Sequence, residues 1–425
     1  MDSGNGSFIR KVPVTRRSFL QVLTMGGGAA LLTACQTGPA SPPAPSSAAP
    51  PQVSQAAPTA APRAEAPPQP ASGQASSDSS APAGWNELIA GAKQEGEVVI
   101  FLGRAASRQV RPVFSEFEKK YGIKATAVIG SGGENADKIL AERNTGLYTG
   151  DLWMGGSTSM NTRLVPNGVL EPIGPILMLP EVKDQSLWWG GKHLYGDKDQ
   201  NLIFMFAASP TPYLAYNTQM VNPDEFQSWT DLLDPKWKGK ILSRDPTQSG
   251  TGVSLMGFYH SPLLGQDFLR RIYLEQDVTL TRDGRQGAEW LALGKFPLYF
   301  IPSGSDPREA KDQGLPVAEI VRPMKEGAWL SSGGTGTIGY FSKAAHPNAA
   351  KLFVNWWLTK EAQLLVMQQN PEDESLREDI SKDAVLPEFR RRSGVQYTHL
   401  DSKPEYLGRD GEPNEFMKGV LESKR

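Results

Sequence analysis

Val98-Val99-Ile100-Phe101-Leu102, closed by Gly103, is the stretch from which the fold is read. Five apolar residues in a row ended by glycine are the pattern of a strand buried on both faces in a parallel sheet. Downstream, Val110, Val113, Phe114, Phe117 and Tyr121 recur at helical spacing and predict an amphipathic helix over 110–121. Ala125-Thr126-Ala127-Val128-Ile129 predicts a second strand, ended by Gly130-Ser131-Gly132-Gly133, and Ala136 to Asn144 predicts a second helix. Asp151-Leu152-Trp153-Met154 predicts a third strand, ended by Gly155-Gly156-Ser157. Strand, helix, strand, helix, strand is a βαβ series, which calls for a parallel sheet with right-handed crossovers and an α/β fold.

Further along the chain the pattern is interrupted. Strands are expected at Leu202–Phe206, Leu214–Asn217, Lys240–Leu242, Phe296–Ile301 and Gly336–Phe341. Ser228 to Pro235 opens a helical turn, and a helix follows Asp245–Gly252. Pro347 to Gln369 reads as one long helix with Ala349, Phe353, Trp356 and Trp357 on its buried side. Residues 371–425 are polar and are expected to run over the surface as a C-terminal extension. No internal repeat is evident.

The first 35 residues read as an export signal rather than as structure. Thr15-Arg16-Arg17-Ser18-Phe19-Leu20-Gln21 resembles the twin-arginine signal, with Gln21 as the one departure. The apolar stretch from Phe19 to Ala34 is shorter than the roughly 20 residues a spanning helix needs. Leu32-Thr33-Ala34-Cys35 looks like a lipobox, with Cys35 as the site of lipidation. Cys35 is the only cysteine in 425 residues, as expected of an exported chain that avoids unpaired thiols apart from one that is modified. Residues 36–84 form a Pro/Ala/Ser tract without aromatics, too poor in apolar surface to offset its ordering entropy. Such a tether reaches about 40 Å as a coil and about 150 Å as polyproline II. The formal net charge of −2 and the lack of a basic block point away from nucleic acid.

From Trp85 onward about 340 residues remain, a natural length for two domains. The stretch Trp229 to Gly252 resembles extracellular solute-binding proteins of ABC importers, in the iron(III)/spermidine-like group. Its pattern is Ser228-Trp229, Asp231-Leu232-Leu233-Asp234-Pro235-Lys236-Trp237-Lys238-Gly239-Lys240-Ile241 and Ser249-Gly250-Thr251-Gly252. Tyr216-Asn217-Thr218, Gly339 to Phe353 and Lys360-Glu361-Ala362-Gln363 match the same family. The resemblance implies a two-lobed periplasmic-binding-protein-like fold with hinge strands and a ligand cleft between the lobes. One lobe is expected at 85–212 plus 318–370, and the other, with hinge segments, at 213–317. It further implies a lipid-anchored, monomeric receptor that captures a small solute and delivers it to membrane permease subunits, with no catalysis and no cofactor.

In open α/β sheets a ligand sits beyond the carboxyl ends of the strands, next to helix N-termini. That rule selects Arg104 after the first strand and Ser131, Gly132, Gly133 and Glu134 after the second. It also selects Ser157 and Thr158 after the third, and Ser249, Gly250 and Thr251 in the other lobe. Glycine lets the backbone come close, and free amides and hydroxyls favour an anion. Arg104 and Arg285 are candidate clamps for a carboxylate or phosphate, with Arg282 the weaker case. Tyr216, Trp188, Trp189 and Trp329 are candidates to stack on an apolar ligand body, although large aromatics more often belong to a core. The expected ligand is an anionic or zwitterionic organic solute.

Two other readings stay open. Ferric iron, bound by some relatives through a Tyr-Tyr pair, has no such pair here, and the four histidines at 193, 260, 346 and 399 are scattered. No metal site is therefore assigned. A cofactor-bearing oxidoreductase would need a dinucleotide fingerprint, and Gly334-Thr335-Gly336-Thr337-Ile338-Gly339 matches one. The segment runs into a predicted strand instead of a helix, so a glycine-lined hinge explains it better.

Overall fold

The computed structural model describes residues 81–248, 251–302, 306–403, 405–409 and 411–424, without the side chains of 104–109. The export signal with Cys35, nearly all of the tether, Ser249, Gly250 and the Arg104 side chain lie outside the described residues. All described residues belong to one compact unit.

The stretch on which the reading rests is the strand Glu97–Gly103, in which Ile100, Phe101 and Leu102 are fully buried. It pairs in parallel with Lys124–Gly130 on one side and Leu152–Gly155 on the other. The helix Arg104–Tyr121 crosses back over this sheet and buries Val110, Val113, Phe114 and Phe117 at helical spacing. Beyond Leu152–Gly155 the sheet turns antiparallel, adding Thr337–Phe341, Ile203–Met205 and Leu194–Tyr195, with Leu170–Glu171 also on Thr337–Phe341. Phe114 and Phe117 meet Phe353, Trp356 and Trp357 edge-on or tilted at 5.0–5.9 Å, a geometry that suits aromatic quadrupoles.

The second lobe is a five-stranded sheet in the order Thr279–Thr281, Ile241–Arg244, Leu298–Phe300, Leu214–Asn217 and Val317–Ile320. Helices Gly252–Tyr259 and Gly265–Glu275 cover one face over a core containing Tyr213, Trp229, Phe258, Phe268 and Trp329. The fold is thus two-lobed α/β. The predicted long helix is broken into Pro347–Trp357 and Lys360–Gln369. Thr359 adopts an extended conformation there, and its hydroxyl accepts from Ala362 N, so it caps the second helix and stops the first.

Between the lobes lies a small sheet of Ser209–Pro210, Ala328–Ser331 and Tyr397–His399. Its third strand comes from the polar segment that was expected to run over the surface. That segment is instead woven through the molecule. Ala208 N donates to Glu374 O and Leu376 N to Phe206 O, and Arg377 is fully buried over Trp188. After Tyr397–His399 the chain ends its course in the helix Gly411–Glu422, which buries Met417 and Val420 against the two helices of the second lobe. Its polar composition misled because Arg377 and Arg391 are buried on carboxylates and backbone carbonyls.

His399 sits in the inter-lobe sheet with neither ring nitrogen hydrogen-bonded among the described residues. Burial pushes its imidazole down to about 4, whereas the unfolded chain titrates near the usual 6.5. Between those values the unfolded chain binds a proton that the folded chain refuses. This contribution to stability is therefore fully present above pH ~6.5 and is lost as pH falls toward about 4. His399→Phe should grow more stable relative to the wild type as pH drops across that window in urea unfolding. A difference that stays constant with pH would show that the folded inter-lobe sheet accepts the proton.

Candidate functional site

A cleft of about 1100 Å³ opens between the lobes against the inter-lobe sheet. One wall carries Gly156, Ser157 and Thr158 from the end of Leu152–Gly155, the turn Gly333-Gly334-Thr335, and Asn370, Glu372 and Asp373. The opposite wall carries Val253 and Ser254 of the helix Gly252–Tyr259, Arg285 of the helix Gly284–Ala292, and Asp306, Arg308, Glu309 and Asp312. Ser209 to Tyr213 form the floor. Strand carboxyl ends and helix starts thus meet around the cavity, as the topology of an open α/β sheet requires.

Of the residues expected at the site, Ser157, Thr158 and Arg285 line the cleft. Ser131 and Glu134 are engaged in a capping box at the start of Gly132–Asn144: Ser131 N donates to Glu134 Oε2 at 2.7 Å and Glu134 N to Ser131 Oγ at 3.2 Å. Neither they nor Gly132 and Gly133 line the cleft. Tyr216 is half-buried opposite Leu298, at the end of its strand away from Ile301 and Pro302. Thr251 is fully buried and donates its hydroxyl to Pro246 O and Gln248 O. Asn414 Nδ2 in turn donates to the Thr251 hydroxyl at 2.7 Å, so the Gly411–Glu422 helix holds the loop in front of Gly252–Tyr259. Trp188 and Trp329 belong to the two cores, and Trp189 packs under the Arg391 guanidinium. Arg282 pairs with Asp245 at 2.7 Å.

The strand-end rule, applied to Leu298–Phe300, leads to Ile301, Pro302 and Asp306, an end not followed from the sequence. Asn370, Glu372 and Asp373 carried no signal in the sequence, because they lie past the last predicted helix. The turn at 333–336 was read only as a hinge. It also forms cleft wall, and at Gly336 a side chain would collide with the Ala207 carbonyl, so only glycine lets the two backbones approach.

Arg308 is the strut between the walls. Its Nη1 donates to Glu319 at 2.9 Å within the second lobe, and its Nε lies 2.7 Å from Glu372 of the other wall. Burial works against the guanidinium charge, but the two carboxylates more than reverse this and raise its pKa. Burial pushes Glu319 up to about 7 against the pull of Arg308. Burial and then the neighbouring Glu372 push Asp373 up to about 7 as well. Arg285 is exposed, and its charge acts on Asp306 of the same wall, opposing the upward push of burial on that carboxyl. The first turn of Gly252–Tyr259 has no side-chain cap.

A family model described as "Bacterial extracellular solute-binding protein" matches residues 113–371. This chain belongs to that family. Proteins of the family bind small solutes and deliver them to ABC permeases; family and fold are those of transport binding proteins, not of enzymes. A curated relative from Haemophilus influenzae, described as an uncharacterized protein, is 25% identical over 288 residues, spanning 65% of this chain and 77% of its own length. Iron-bound HitA from Pseudomonas aeruginosa matches 76% of this solute-binding protein and 99% of its own chain at 18% identity, with a TM-score of 0.56. AfuA from Actinobacillus pleuropneumoniae, solved with fructose-6-phosphate, matches 77% and 97% at 21% identity, with a TM-score of 0.51. A substrate-binding protein of an ABC transporter from Agrobacterium tumefaciens matches 80% and 97% at 14% identity, with a TM-score of 0.57. Among the described residues no helix is long and apolar enough to cross a membrane, and no three His, Cys, Asp or Glu are grouped to hold a metal ion.

Removing the strut leaves two carboxylates without their cation. Arg308→Ala should cost about 3 kcal/mol in urea unfolding, as loss of one partner of a buried ion pair does. An unchanged midpoint would mean that Glu319 and Glu372 are relieved without Arg308.

Proposed function

We propose that this solute-binding protein captures a small organic solute carrying an anionic group and passes it to an ABC permease while tethered to the membrane by lipid at Cys35. The observation that carries the ligand reading is Arg285, an exposed guanidinium on the cleft wall, with Asp306 as its carboxylate neighbour there. Guanidinium presents a planar fork that suits carboxylate or phosphate. The first turn of Gly252–Tyr259, which has no side-chain cap and where Val253 and Ser254 line the cleft, adds a favourable dipole end. Ser157 and Thr158 offer hydroxyls from the other lobe. Gripping one solute from both walls favours the closed arrangement by the difference in affinity between closed and open states. The twin-arginine pattern at 15–21 and the lipobox at 32–35 support export in a folded state followed by anchoring, with the 36–84 tract as tether.

A thermal-shift screen over organic acids, phosphoesters, polyamines, sugars and ferric iron tests the reading. A true solute at a hundredfold excess over its Kd contributes about 2.7 kcal/mol and raises Tm by several degrees. A shift with ferric iron alone would transfer the protein to the iron-binding reading. With the organic hit, Arg285→Ala should weaken binding by about 1.5–3 kcal/mol in titration calorimetry; unaltered affinity removes Arg285 from the site. Cys35→Ser should release the protein from the membrane fraction into the soluble extracytoplasmic fraction, and persistence in the membrane would refute the lipid anchor.

A further inference from the structure

One corner of the cleft is built of acceptors. Glu372 and Asp373 line it and, together with Glu319 outside the cleft lining, share a single guanidinium, that of Arg308. Asn370 is 2% exposed and lines the same corner. Its Nδ2 donates to Asp373 Oδ2 at 2.8 Å and approaches Thr335 Oγ1 at 3.5 Å, but its Oδ1 has no donor among the described residues. Glu319 Oε1 has none either. The backbone at Gly333 closes over Asp373: a side-chain carbon there would stand 3.8 Å from Asp373 Oδ1.

A buried carboxamide oxygen without a donor is costly, and a set of carboxyls exceeding its cations is costlier. The group that relieves both brings N–H donors and positive charge together. A hydroxyl brings a donor without charge. A protonated amine brings three donors, no acceptor and a full charge.

We propose that this corner is a subsite for the protonated amine of the solute. With Arg285 on the opposite wall, the solute is then a zwitterion, its ammonium between Asn370 and Asp373 and its anionic group toward the second lobe. This rests on the receptor reading above and narrows its ligand class. Asp373 and Asn370 are the specificity residues, and Arg308 holds Glu372 in place beside them.

Matched probes test it on the whole chain by calorimetry: O-phosphoethanolamine against ethyl phosphate, β-alanine against propionate, and calcium chloride alone. The amine-bearing member of a pair should bind about tenfold tighter or better, the worth of a charge-assisted hydrogen bond. Asp373→Asn, which keeps the side-chain size, should bring the ratio of amine-bearing to amine-free affinity to about one. Asn370→Asp should enlarge the preference, which a purely structural role would not do. Equal binding of both members, a preference that survives Asp373→Asn, or tight binding of calcium alone overturns the proposal. If the screen yields only amine-free anions, the zwitterion falls and the receptor reading stands. If no solute of any class binds, both fall.

Discussion

A chain that passes between two sheets must pair its crossing backbone with something, since unpaired buried amides and carbonyls are too costly to keep. Here the pairing is brief. Leu330 and Ser331 face Pro210 and Ser209, and Ala328 to Leu330 face Tyr397 to His399. So short a ladder is enough to fix the lobes side by side, and it leaves the space above it open. The cleft, its floor at Ser209–Tyr213 and the meeting of strand ends from both sheets all follow from that arrangement.

Much of this was legible in the sequence because burial on both faces leaves a strong mark. Val98–Leu102 and Leu214–Asn217 were placed within one residue of each end. The buried side of Pro347–Trp357 was read from Phe353, Trp356 and Trp357, all fully buried. The break at Thr359 was not, because a single capping hydroxyl competes with a continuous apolar period and leaves no gap in it. The cleft lining was legible at Ser157 and Thr158, where a glycine-rich turn follows a predicted strand, and at Arg285, read as an anion clamp. Ser131–Glu134 satisfies the same pattern, yet its side chains are spent on capping the helix they begin. Sequence cannot tell a helix start that serves itself from one that serves a ligand.

The residues from 371 onward show a related blind spot. Arginines and carboxylates in sequence suggest solvent, but Arg377 and Arg391 are buried because each finds carboxylates and backbone carbonyls to pair with. That pairing lets a polar strand of chain reach the cleft wall and contribute Glu372 and Asp373. With Asp306, Glu309, Asp312 and Asp401 already there, the cleft carries more carboxyls than guanidiniums, the reverse of what a search for anion clamps alone would suggest.

The hydrogen bond from Asn414 to the loop before Gly252 has a consequence for assembly. The partners are separated by 168 residues between Asn414 and Pro246. Contacts of such long range are made late, because loop-closure entropy must be met first. A ribosome would therefore release the second lobe with one lip of its cleft still unsupported. A chain threaded unfolded through a membrane pore would repeat that delay on the far side, amid proteases. Export of the finished fold, as the proposed twin-arginine route provides, lets the late contact close in the compartment where the chain is made.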